Sequence, residues 1–146
     1  METYPNKLIR GVANSNELNA EGHASVNAFV FRDNNNRVDS KKELSINWCD
    51  DEAEAVRIAM CQLKNDGSYQ FKAGVAVLSR EKLDMYKKAP VCTGKFDYER
   101  APIEGNKYHG NILCQSELPK QTIDIIRSLL VLSVTDIIPR EMREMP

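Results

Sequence analysis

The spacing of apolar and polar positions divides the chain into short strands and three helices. Residues Lys7–Val12 (KLIRGV) read as a short strand ending at Gly11. Asn14–Leu18 reads as a helical turn that Ser15 or Asn14 can cap, and Glu21-Gly22 as a turn. Ala24–Arg32 (ASVNAFVFR) alternates in part and is rich in β-formers, which predicts a strand. Asp33–Lys42 is polar and Asn-rich, so a loop or hairpin tip is expected, because asparagine tolerates left-handed backbone. In Glu43–Trp48, Leu44, Ile46 and Trp48 alternate with Ser45 and Asn47, the pattern of a half-buried strand.

The clearest helix spans Asp50–Lys64. Asp50, Asp51 and Glu54 place negative charge in its first turn, where the helix dipole favours it. Ala55, Val56, Ala59, Met60 and Leu63 form one stripe, and Asn65-Asp66-Gly67 ends the helix. Phe71–Leu78 contains GVAVL, an apolar run suited to a central strand. Ser79 caps a short helix, Arg80–Lys88, that Pro90 stops. Phe96–Arg100 and Tyr108–Cys114 read as strands separated by Pro102 and Gly105-Asn106. Gln121–Val134 is a long helix striped by Ile125, Ile126, Leu129, Leu130 and Leu132. The predicted architecture is an α+β single domain over 1–146, with an ordered core at 7–135 and a frayed tail at 136–146. Its sheet is expected to be mixed but antiparallel-rich. The two main helices, Asp50–Lys64 and Gln121–Val134, are expected on one face, since each carries a single apolar stripe. Trp48 is expected to be buried against the first of them.

Composition narrows the function classes. Twenty basic and 21 acidic side chains in 146 residues give a net charge of −1, which removes the electrostatic signature of a nucleic-acid binder. No apolar run approaches the roughly 18 residues of a membrane span, and METYPNKLIRG lacks the basic-then-apolar layout of an export signal. A cytoplasmic protein without a membrane segment is expected. The cysteines Cys49, Cys61, Cys92 and Cys114 form no C-x-x-C and read as buried free thiols. With only His23 and His109 beside them, no metal site is expected, and no cofactor. The P-loop, G-x-G-x-x-G and H-E-x-x-H patterns are absent.

Candidate chemistry falls in three places. His109 stands beside Gly110 where a loop enters a strand, and can serve as a general acid or base or can close the loop by a hydrogen bond. Asn111 shares its strand face, because residues i and i+2 point the same way. Arg10, beside Gly11 at a strand end, can fork onto a carboxylate or phosphate, or can pair with an acid such as Glu99 or Glu117. Ser25 and Asn27, with His23, share one face of the expected Ala24–Arg32 strand; if that strand pairs with ELSINW, they line a polar groove with Ser45 and Asn47. The candidate catalytic residues are therefore His109 and Arg10, and the candidate ligand-binding residues are Ser25, Asn27, Glu99 and Asn111.

The order LIRGV, SVNAFVF, ELSINW, GVAVL and YHGNI resembles a family of small uncharacterised bacterial proteins. That family carries an R-G strand, an S-x-x-AF strand, an LSVNW-like strand and a late N-P-x-H-x-x-I-like segment. In this chain the last reads Asn106-Lys107-Tyr108-His109-Gly110-Asn111-Ile112, with lysine in place of proline. The resemblance implies an accessory component of a bacterial, defence-type gene neighbourhood. A fainter resemblance is to ADP-ribosyltransferases, with Arg10 as the early strand-end arginine, Ser25 on the Ser-x-Ser strand and Glu99 as the late glutamate; no Glu-x-Glu is present.

Two functions are thus expected. One is an accessory or protein-interaction domain with a protein partner. The other is a small enzyme or binding protein for a nucleotide-like or phosphorylated ligand, using Arg10 and His109. Their discriminator is whether Arg10, His109 and one of Ser25, Tyr98 or Glu99 meet in one concave pocket.

Overall fold

The computed structural model describes residues 4–19, 21 and 23–140; Gly22, half of the expected turn, lies outside them. The strands are β1 (Lys7–Val12), β2 (Arg32–Asp33), β3 (Lys41–Trp48), β4 (Gly74–Ser79), β5 (Phe96–Arg100), β6 (His109–Gln115) and β7 (Val134–Pro139). The helices are α1 (Glu52–Cys61), α2 (Arg80–Lys87) and α3 (Lys120–Leu132). The architecture is α+β in a single domain. The sheet has the order β5-β6-β3-β1-β4-β7, with β2 beside β3. Every pairing among the described strands is antiparallel, so the sheet is not mixed. No helix among the described residues is long and apolar enough to cross a membrane.

Both faces of the sheet are covered along β1 and β4, and the reason is visible in GVAVL. Four consecutive residues, Val75, Ala76, Val77 and Leu78, are all buried, so side chains of both parities need cover. On one face Leu8, Val12, Leu44, Ile46 and Leu78 pack with Leu83 of α2 and with Ile126 and Leu130 of α3. On the other, Ile9 and Val75 pack with Ala55 and Ala59 of α1. Two helices do share a face, but they are α2 and α3. The expected pairing of α1 with α3 is corrected, because a single stripe says that a helix is half-buried without saying on which side.

Trp48 is fully buried, but not against α1. Its ring lies between Tyr4 and Tyr98, with centroids 4.7 and 5.6 Å away, and its Nε1–H donates to the Glu99 carbonyl at 3.1 Å. Gly110 belongs to this cluster: a Cβ there would overlap the Trp48 indole and the Glu99 carbonyl oxygen.

Three other expectations change. Residues 24–32 form a 3₁₀ turn at Val26–Ala28 followed by the two-residue β2, not one strand. Ser25 caps that turn by accepting from the Asn27 N–H at 3.3 Å, a local bond that competes with a ladder. Ala28 and Phe29, adjacent in sequence, are both buried, which an alternating strand over one core does not permit. The tail expected to fray from Asp136 instead continues β7 to Pro139, where Val75 pairs with Ile138 and Ala76 with Ile137; residues 141–146 lie outside the described residues. The cysteines are free, but only Cys92 and Cys114 are buried, while Cys49 is half-buried and Cys61 exposed.

Candidate functional site

The two flanks of β1 are unequal. Against β4 it pairs at every residue from Lys7 to Val12. Against β3 it pairs only at Leu8↔Trp48 and Ile9↔Asn47. The Cys49 N–H donates to Lys7 O at 3.0 Å and the Trp48 N–H to Tyr108 O at 2.8 Å. In an antiparallel ladder, backbone groups alternate in direction. The odd-numbered residues of β1 therefore face β3, and the odd-numbered residues of β3 face β1. Continuing the register would place Gly11 opposite Ser45, and that pair is absent from the ladder. Gly11 is pinned instead by the ring of Phe71, which a Cβ at this position would overlap.

Arg10 spans the split. Its Nη1 donates to Ser45 O and its Nε to Ala28 O, both at 2.9 Å. Both acceptors are neutral carbonyls, and among the described residues no carboxylate forms a salt bridge with this guanidinium. Burial pulls its pKa down to about 10, against a raising influence from Glu17 and with a further lowering one from Arg32. The Glu17 carboxylate is itself engaged by the backbone N–H groups of Ala13 and Asn14 at 3.3 and 3.0 Å.

The split opens into a cleft of about 980 Å³. Eight amide side chains line it, among them Asn27, Asn34, Gln62 and Gln70. The lining cations Arg10, Arg32 and Lys64 are matched by the carboxylates Glu17, Asp33 and Glu43, and His109 is also present. The wall formed by Asn34–Asn36 belongs to the β2–β3 connection, which Arg37 fastens to the sheet. Arg37 holds Asp39 through two bonds of 3.0 and 2.7 Å, Glu43 at 2.7 Å, and Glu99 at 2.6 and 3.1 Å. The guanidinium raises its own pKa by these bonds and holds Glu99 and Asp39 below the usual carboxylate range. Asn111 donates to Glu99 at 2.8 Å, while its Oδ1 is buried without a hydrogen-bond partner.

The expected site residues therefore separate. Arg10, Asn27 and His109 line the cleft; Ser25, Tyr98, Glu99 and Asn111 do not. Glu99 pairs with Arg37 and not with Arg10. Ser25 is held locally, its hydroxyl donating to Asn16 O at 3.4 Å. Ser45 and Asn47 do line the cleft, with Asn47 held on both amide atoms, donating to Ala55 O at 3.3 Å and accepting from Asn106 at 2.8 Å. His109 and Asn111 share a face of β6, as expected. The His109 Nδ1 lies 2.8 Å from Ala101 O; a carbonyl only accepts, so Nδ1 is the donor of this bond. Arg37 was invisible in the sequence, where it is one cation in a polar, Asn-rich loop. The Gln62 and Gln70 contributions depend on where α1 stops.

No protein-family model matches the chain, and neither a curated protein nor a solved structure matches it.

Proposed function

We propose that the domain is a binding module whose cleft between β1 and β3 receives a hydrogen-bonding ligand with an anionic group on Arg10. The observation that carries this reading is the state of Arg10: a half-buried cation lining the cleft, held by two carbonyls and by no carboxylate among the described residues. The two carbonyls satisfy some of its N–H donors but supply no counter-charge, which an anionic guest would add together with bidentate geometry. Binding is favoured over catalysis because no nucleophile–base pair assembles. Ser25 lies outside the cleft lining, Glu99 is committed to Arg37 and Asn111, and no hydroxyl or thiol is hydrogen-bonded to His109 among the described residues. The arrangement of Arg10, Ser25 and Glu99 lends no support to ADP-ribosyl transfer, since only the first lines the cleft.

The motif resemblance supports a setting as a cytoplasmic accessory component of a bacterial, defence-type system, with a protein as partner. Ile103, 54% exposed, gives that partner an apolar foothold at the cleft.

The test is thermal unfolding at low ionic strength with acetate, inorganic phosphate or adenosine monophosphate. At least one should raise the midpoint in a saturable way, as a ligand specific for the folded state must, and should shift the Gly11 amide resonance. If none does either, the reading is wrong.

A further inference from the structure

We propose that the anionic guest is the carboxyl end of an extended peptide; this rests on the anion-binding reading of the cleft. Three observations choose a peptide terminus over a phosphate. The first is the backbone left open by the split. Gly11 faces the cleft with the polarity of a strand edge and lacks its ladder pair with Ser45, whose carbonyl is taken by Arg10, so the backbone left open is that of Gly11. An extended chain laid beside Gly11 completes that edge, as strand addition does at other sheet edges.

The second is charge. The cleft lining matches three firm cations with three carboxylates, and Ala59 and Gln62, at the C-terminal end of α1, line it too. That end carries the negative pole of the helix dipole, which Arg140 offsets in part by donating to Met60 O at 2.6 Å. A doubly charged phosphate meets repulsion from these groups. A single carboxylate carries half that charge and meets weaker repulsion, and the neutral peptide units behind it can bond to the donors and acceptors that the lining amides keep free.

The third is continuity. A second groove of about 550 Å³ shares Gln62 and Ile103 with the cleft and is floored by Ile58 and Cys61 of α1. A peptide anchored by its terminus at Arg10 can therefore run over this ridge and set an apolar side chain on Ile103 and Ile58. A free carboxylate, an extended backbone and one upstream apolar residue define the ligand class.

The experiment presents the full chain with a library of random heptapeptides displayed with free carboxyl ends, then resynthesises the selected sequences as acids and as C-terminal amides. Binding is read by fluorescence anisotropy. We expect selected peptides to share an upstream apolar residue and to lose at least tenfold in affinity on amidation, a change that leaves the protein untouched. Ile103→Asp, at an exposed position, should weaken binding severalfold while leaving the unfolding midpoint unchanged. Equal affinity of acid and amide overturns the proposal, as does selection of no peptide. If phosphate or adenosine monophosphate still binds in that last case, only the peptide inference falls. If no anion binds, the reading beneath it falls as well.

Discussion

Strand β1 meets β4 and β3 by the same kind of antiparallel pairing, yet the two seams end differently. Toward β4 the ladder runs the length of the strand, and apolar side chains close over both faces. Toward β3 it stops after two pairs, and a guanidinium makes the next cross-strand bond in place of a peptide N–H. A continuous seam satisfies backbone groups internally and leaves nothing for a ligand. A broken seam must satisfy them with side chains, and so carries both polarity and space. Buried polar groups need partners, which explains why the cleft is lined by amide and charged side chains instead of leucines.

Mutations on the two sides should separate in size. The largest loss belongs to the closed apolar face: Trp48→Ala removes the ring packed by Tyr4 and Tyr98 and should cost about 3–5 kcal/mol in denaturant unfolding. A loss under about 1 kcal/mol would mean that the indole is not a core element.

Arg37→Ala, on the polar side, should cost less. It releases three carboxylates that are only partly shielded, so about 1–2 kcal/mol is expected, between an exposed pair and a buried one. Its pH dependence gives the sharper check. Glu99 and Asp39 are held below their ordinary values by Arg37. The unfolded chain therefore takes up these protons first, and stability falls as pH drops through the carboxylate range. The wild-type and Arg37→Ala midpoints should differ at pH 7 and converge below about pH 4. A gap that stays constant with pH contradicts the assignment.

The smallest effect is that of His109→Ala, which removes one bond to Ala101 O and should cost about 1 kcal/mol, a few degrees in midpoint. An unchanged midpoint would show that this bond contributes nothing to closing the loop.

The strands on either side of β1, and the start of α1, were legible in the sequence. LEU-type alternation in ELSINW marked β3, the apolar run GVAVL marked β4, and the acidic start of α1 was read to within two residues. The same GVAVL run also implied cover on both faces, an inference the single stripes of the helices obscured. The broken side was less legible, because a missing ladder pair leaves no pattern. Arg10 stood out through its place at a strand end, and His109 through its neighbouring glycine, though that glycine makes room for Trp48. Arg37 gave no signal, since its partners Glu43 and Glu99 come from strands that only the topology brings together. β7 was missed because Val134–Pro139 is a half-exposed edge strand ending in proline, which reads as the end of a helix followed by a tail.

If the sheet splits between β1 and β3 after Ile9, amide hydrogen exchange measured residue by residue by NMR will show it. Ile9 faces β3 within the surviving ladder, while Arg10 and Val12 face β4; all three amides should be strongly protected. The Gly11 amide, inside the same strand and flanked by protected neighbours, should exchange far faster. Protection of Gly11 equal to that of Ile9 would mean that the ladder is continuous, and that no cleft opens there.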